Sequence, residues 1–152
     1  MEVKEYFTQL DNLMPLMRER LAAGQKIQFS PRGTSMLPML RQGKDTVILS
    51  PLPETLKKYD LPLYQREDGK YILHRIVAVG DTCTCIGDNQ YQYEPGVRRE
   101  QMIALVTAFT RGEKEISVHN PVYRLYCSLW HHSRGTRYFL RRVKNKLRRM
   151  LK

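Results

Sequence analysis

The spacing of apolar positions changes character twice along this 152-residue chain. Tyr6, Phe7, Leu10, Leu13, Met14, Met17 and Leu21 recur every three or four residues, which predicts a helix over residues 3–23 with one apolar face. Pro15 predicts a kink in it, or a second start capped near Asn12. Ala22-Ala23-Gly24 supplies the stop. From Lys26 the period shortens to that of strands. Ile27-Gln28-Phe29-Ser30 alternates, Thr46 to Leu49 reads as a short buried strand, and Lys70 to Val79 runs from alternation into continuous apolar sequence. Thr82 to Ile86 and Met102 to Thr110 read as two more strands, while Pro51, Pro53 and Pro62 mark a loop-rich stretch. Past Asn120-Pro121 helical spacing returns. Leu125, Tyr126, Leu129 and Trp130 share one face, Gly135 interrupts, and Leu140, Val143, Leu147, Met150 and Leu151 form a second stripe.

This order predicts a mainly β domain, α+β overall, flanked by helices. The expected divisions are an N-terminal helical segment over residues 1–25, a β-rich domain over 26–118 and a basic amphipathic tail over 119–152. The length suits one domain with appendages.

Charge sharpens the division. Residues 1–115 carry 16 Lys and Arg against 15 Asp and Glu, whereas residues 116–152 carry 10 and no acid. The net charge of +11 therefore belongs to the tail. A basic amphipathic helix suits an anionic membrane surface, with Arg141, Arg142, Lys144, Lys146, Arg148 and Arg149 facing headgroups and Trp130, Tyr138 and Phe139 at the interface. Nucleic acid is not the expected partner, because no DNA- or RNA-binding motif accompanies the basic run. No apolar run approaches the roughly 20 residues that span a bilayer. The expected location is the cytoplasm, or the cytoplasmic face of a membrane. Three cysteines without framework spacing argue against a disulfide-stapled domain. Cys83 and Cys85 are expected as buried thiols on one strand face. No metal site and no cofactor are expected.

Candidate chemistry lies in Gly33-Thr34-Ser35-Met36-Leu37-Pro38 and in Leu73-His74-Arg75. A serine hydroxyl needs a neighbouring base to become a nucleophile near neutral pH. Gly33 permits a sharp turn and close approach of substrate. The Ser35 amide is then a candidate oxyanion donor, with Thr34 beside it. Met36 and Pro38 would floor and stiffen the turn. His74 is the only histidine before residue 119. With an ordinary pKa near 6.5 it would suit proton abstraction, with activity rising through about pH 6 to 7. Arg75 is expected to form a supporting ion pair. Asp88, in Gly87-Asp88-Asn89, and Glu94 are the two candidates for an acid that orients His74.

Taken in order, Gly-x-Ser-Met-x-Pro, then His-Arg in an apolar strand, then Gly-Asp-Asn resembles the signal peptidase family of serine endopeptidases. The resemblance covers roughly residues 28–110. Bacterial members usually have lysine where this chain has His74. The endoplasmic reticulum type and related Gram-positive and archaeal members have histidine, so the resemblance implies a Ser35 nucleophile and a His74 base. It also implies the β fold shared by signal peptidases and SOS-repressor peptidases, acyl transfer, an extended substrate paired to an edge strand, and small residues before the cut. The chain differs from the histidine type in having Tyr93-Glu94 where an acid pair usually follows Gly-Asp-Asn. It also differs in having no spanning helix before the serine.

The function expected is cleavage of signal, leader or precursor peptides by a Ser-His dyad held at a membrane surface. The alternative is a non-catalytic member that binds peptide or membrane. A DNA-associated, self-cleaving regulator fits less well, since only about 30 residues precede Ser35 and the base position holds histidine.

Overall fold

A computed structural model of the chain describes residues 2–151, with side chains from residue 10 to residue 151. Tyr6 and Phe7, assigned above to the first helix's apolar face, lie outside the described side chains. The fold is α+β, with three α-helices and two antiparallel sheets among the described residues.

Helix α1 (Glu2–Ala22) is one element that runs through Pro15 rather than dividing there. It ends at Gly24, whose φ of 76° suits a residue without Cβ. Its inner face, Leu10, Met14, Met17 and Leu21, packs on the larger sheet. The partners there include Val47, Leu49, Leu63 and Val106, and burial of such side chains contributes roughly 1.5–3 kcal/mol each.

The larger sheet contains β1 (Ile27–Phe29), β2 (Val47–Ser50), β3 (Pro62–Gln65), β4 (Tyr71–Leu73), β8 (Met102–Arg111) and β9 (Lys114–Ser117). β8 is the central strand. It pairs with β2 on one side, and its other side is divided between β3 and β9. The smaller sheet has the order β5 (Arg75–Val79), β6 (Cys83–Ile86) and β7 (Glu94–Val97).

Three sequence expectations change here. Residues 70–79 are not one strand: β4 joins the larger sheet, β5 the smaller, and His74 is the single residue between them. A continuous apolar run gave no sign of the break, because burial continues across it while the hydrogen-bonding partner changes. The stretch read as loop up to Pro62 leads directly into β3, with Pro62 as its first residue, where proline is tolerated. Finally, the C-terminal helices part at Ser133, not Gly135. Helix α2 is Pro121–His132, and Gly135 lies inside α3, Arg134–Met150.

Helix α2 starts as its sequence suggests. Asn120 Oδ1 accepts from the amides of Val122 and Tyr123, and Pro121 fills the first turn. Tyr123 and Cys127 enter the main core, so the first half of the expected tail belongs to the body. Cys83, Cys85 and Cys127 are buried free thiols.

One buried ion pair joins these parts. Arg75 Nε and Nη2 each donate to an Asp88 carboxylate oxygen at 2.8 Å, and both side chains are buried. Arg75 Nη1 donates to the Tyr123 hydroxyl, Tyr126 donates to Asp88 Oδ2, and Trp130 Nε1 donates to the Asp88 carbonyl. Burial opposes the charge on Arg75 most strongly, and its anionic and dipolar neighbours, Asp88 first, outweigh it. Removing one partner of such a pair leaves an uncompensated buried charge. Asp88→Ala should therefore lower stability by about 3–5 kcal/mol in urea unfolding, with Leu125→Ala on the exposed face of α2 close to neutral.

Candidate active site

Gly33 opens the serine turn with φ 92°, and its amide donates to Gln42 Oε1 at 2.9 Å. Met36 beneath it is buried in the main core, whereas Pro38 is exposed. The Pro38 carbonyl accepts from Arg111 Nη1 at 2.7 Å. The two residues thus serve as floor and rim of the turn, and Ser35 itself is half-buried.

The turn is clasped by Asn89. Its backbone amide donates to the Ser35 carbonyl at 2.8 Å, and its side-chain amide donates to the Thr34 carbonyl at 3.1 Å. Gly87, two residues earlier, explains how closely the segments meet. A Cβ built there would stand 2.5 Å from the Ser35 carbonyl oxygen, inside any tolerable contact. Gly87 is needed for space, not for its backbone angles.

The strand pairing relates this turn to His74. Arg75 pairs with Ile86 across β5 and β6. β5 begins directly after His74 and β6 ends directly before Gly87, so the two residues flank the same end of this strand pair. Gly87 has the Ser35 backbone against it there.

His74 is 3% exposed. Its Nδ1 lies 3.5 Å from the Tyr64 hydroxyl and 3.9 Å from Glu94 Oε2. Tyr64 donates to Glu94 Oε2 at 2.7 Å, so its single proton is committed. The tautomer that fits has the proton on Nδ1, directed at the Tyr64 oxygen, and a bare lone pair on Nε2. Arg66 closes the array with a two-point contact to Glu94 at 2.6 and 2.8 Å. The Arg66 hydrogen bond is the main reason the Glu94 carboxyl titrates below its ordinary range.

Of the two candidate orienting acids, Asp88 is committed elsewhere. Its oxygens hold Arg75 and Tyr126, as described above. Glu94 is the acid near His74, and Tyr64 stands between them. Neither Tyr64 nor Arg66 was singled out from the sequence. Both lie on or just after β3, in the stretch whose prolines disguised a strand. The Arg75 ion pair expected from the sequence is present.

Burial lowers the His74 pKa to about 4; Arg66 acts in the same direction, and Glu94 and Asp88 oppose it. The imidazole is therefore neutral near neutral pH, with its titration well below the ordinary value near 6.5 expected from the sequence.

No protein-family model, no curated protein and no solved structure matches this chain. The site must be interpreted from its own geometry. A buried imidazole that is neutral at rest and a serine on a glycine turn clasped by Asn89 are the residue types that general-base activation of a hydroxyl uses. Among the described residues no group of three or more His, Cys, Asp or Glu could hold a metal ion.

The His74 shift has a thermodynamic consequence. Between pH about 4 and the ordinary histidine value of 6.5, the unfolded chain takes up a proton that the folded chain refuses. Stability should fall as pH drops through that window and stay flat above it. The full loss is about 3 kcal/mol. Urea midpoints of the parent chain and of His74→Gln, compared from pH 7.5 to 5, should differ by this slope. Parallel curves would show that His74 binds its proton equally in both states.

Proposed function

We propose that this protein is a serine endopeptidase of the Ser-His type, similar in fold and mechanism to signal peptidases, acting on signal, leader or precursor peptides. The observation that carries this reading is the packing of the Ser35 turn on Gly87, at the end of the β5–β6 pair that His74 flanks.

In the mechanism that follows, His74 Nε2 takes the Ser35 hydroxyl proton as the oxygen attacks a peptide carbonyl. The bond from Oγ to carbon forms and the carbonyl electrons move to oxygen. The Ser35 amide, with Thr34 beside it, holds that oxyanion. The imidazolium passes its proton to the leaving amine as the peptide C–N bond breaks. Water, deprotonated by the same imidazole, then releases the acyl group and restores Ser35. Tyr64 and Glu94 contribute by holding Nδ1–H and by stabilising the positive charge that develops on the ring. Burial makes that charge costly at rest, and the Glu94 carboxylate lies 3.9 Å away to offset it. An unprotonated base at neutral pH and a nearby counter-charge in the transition state suit this cycle.

The edge position of β4 supports an extended substrate. β4 is the terminal strand of the larger sheet and ends one residue before His74. A peptide adding alongside it would run its backbone toward the imidazole. The Gly33 turn, with no side chain at its apex, suits small residues next to the scissile bond. The basic C-terminal helix is the part we assign to the membrane surface. Among the described residues no helix is long and apolar enough to cross a bilayer.

The test is cleavage of a pool of precursor peptides in mild detergent, with products identified by mass spectrometry. Ser35→Ala and His74→Ala should each lose about 10⁴-fold or more in kcat/KM. Gly87→Ala, which keeps every catalytic group and displaces the Ser35 turn and the Gln90 side chain, should lose about 10²-fold with a smaller change in KM. The acid limb of kcat/KM should lie near the His74 pKa of about 4 rather than near 6.5. Peptide binding without products, unaltered by Ser35→Ala, would instead identify a non-catalytic binding protein.

A further inference from the structure

The last helix is docked the wrong way round for a soluble protein. At 3.6 residues per turn, Phe139, Leu140, Val143, Leu147, Met150 and Leu151 fall within a sector of about 120°. That sector faces away from the body: Phe139 is 65% exposed, Leu147 53% and Met150 72%. The contacts with the body come from the opposite, basic side. Arg134 is buried and donates to the Gln90 and Gly87 carbonyls. The Arg137 guanidinium lies 3.8 Å from the centre of the Trp130 ring, and Tyr138 packs on Tyr91 with ring centres 5.1 Å apart. A helix stabilised only by its own domain would bury the apolar sector and expose the arginines.

The stripe does not begin with α3. Val122, Leu125 and Leu129 on α2 are 76%, 59% and 61% exposed. Carried across Ser133 at the same period, they fall in the same sector as the α3 residues. The backbone keeps the helical connection there: the Ser133 amide donates to Leu129 O, and the Arg137 amide donates to Ser133 O, each at 2.9 Å. The apolar face is thus in phase over two helices and about 30 residues.

We propose that this combined α2–α3 stripe lies in the interface of an anionic bilayer, and that it holds the Ser35 turn, which packs on Gly87 next to Arg134 of α3, at the headgroup plane. Charge selects the occupant. Lys144 and Lys146 border the apolar sector on its two sides, where their ammonium groups reach headgroups while their stems follow the acyl boundary. Residues 116–152 contain no acid, so a second copy of this face would bring like charges together. An anionic lipid surface complements them. The opposite face of α2 carries Tyr123, Tyr126 and Trp130, which hold Arg75 and Asp88. One helix diameter, about 10 Å, separates that ion pair from lipid. The consequence for substrate, which rests on the peptidase reading above, is a cleaved segment that lies at the membrane surface.

The experiment is vesicle sedimentation of the full chain at low and moderate salt. It uses phosphatidylcholine alone and phosphatidylcholine with phosphatidylglycerol, and the same samples are assayed for peptide cleavage. Leu129→Asp tests α2 and Leu147→Asp tests α3, with Leu129→Gln as a milder second variant and circular dichroism as the check on folding. We expect binding only to the phosphatidylglycerol vesicles, weakened by salt and reduced at least tenfold by either aspartate, with cleavage of a soluble peptide unchanged. Binding of Leu129→Asp at the parental level would overturn the two-helix footprint. A lipid-free dimer that Leu147→Asp makes monomeric would overturn the membrane as occupant. Vesicle binding without cleavage would retain this inference and remove the peptidase reading, and cleavage without binding would do the reverse.

Discussion

The bidentate contact between Arg75 and Asp88 is the constraint on which the rest of the site depends. Arg75 begins β5 directly after His74, and Asp88 lies between Gly87 and Asn89, which position the Ser35 turn. The pair therefore ties the residue after His74 to the loop that holds the Ser35 turn. Its outer side is covered by Tyr123, Tyr126 and Trp130 of α2. Both charges are withdrawn from water, where attraction alone seldom offsets the loss of hydration. Here the remaining donors and acceptors are filled by the Tyr123 and Tyr126 phenols, the Tyr59 carbonyl and the sulfurs of Cys127 and Met39. The pair thus acts as a geometric clamp more than as a source of net stability, fixing a separation that loops would otherwise leave free.

The imidazole shows the same economy on a smaller scale. Burial removes its charge at rest, and the Tyr64–Glu94–Arg66 array fixes which nitrogen carries the proton. The Glu94 carboxylate is neutralised by Arg66 and reaches the ring through a hydroxyl. This reduces the attraction that would otherwise raise the histidine's basicity. The outcome is a weakly basic imidazole that stays neutral at rest.

Much of this was legible in the sequence, for identifiable reasons. The long amphipathic α1, the helix past Asn120-Pro121 and the strand at Met102 to Thr110 have strong local signals, and all three form. Ser35, Gly87, His74 and Glu94 stood out because glycine turns and isolated titratable groups are conspicuous. The break at His74 was not legible, since a strand that changes sheets keeps its apolar pattern. Tyr64 and Arg66 were missed because their importance comes from side-chain contacts between the two sheets, 28 or 30 residues along the chain, to Glu94, which no local window contains. Asp88, one of the two acids offered for His74, holds Arg75 instead for a related reason. Two basic side chains, His74 and Arg75, are adjacent in the chain, and only the register decides which one faces the turn.

The separation of charge between body and tail has a consequence for how the molecule moves. A nearly neutral body joined to a cationic rod of 17 residues, about 25 Å long, is a large electric dipole. A negatively charged surface would exert a torque on it as well as a pull. At physiological ionic strength that field decays over about 8 Å, much less than the length of the rod. Distant molecules would tumble freely, and alignment would occur only within the last nanometre of approach. Most collisions by the body would then be unproductive, and those led by the rod would be retained. Encounter would select an orientation before any side chain has made contact.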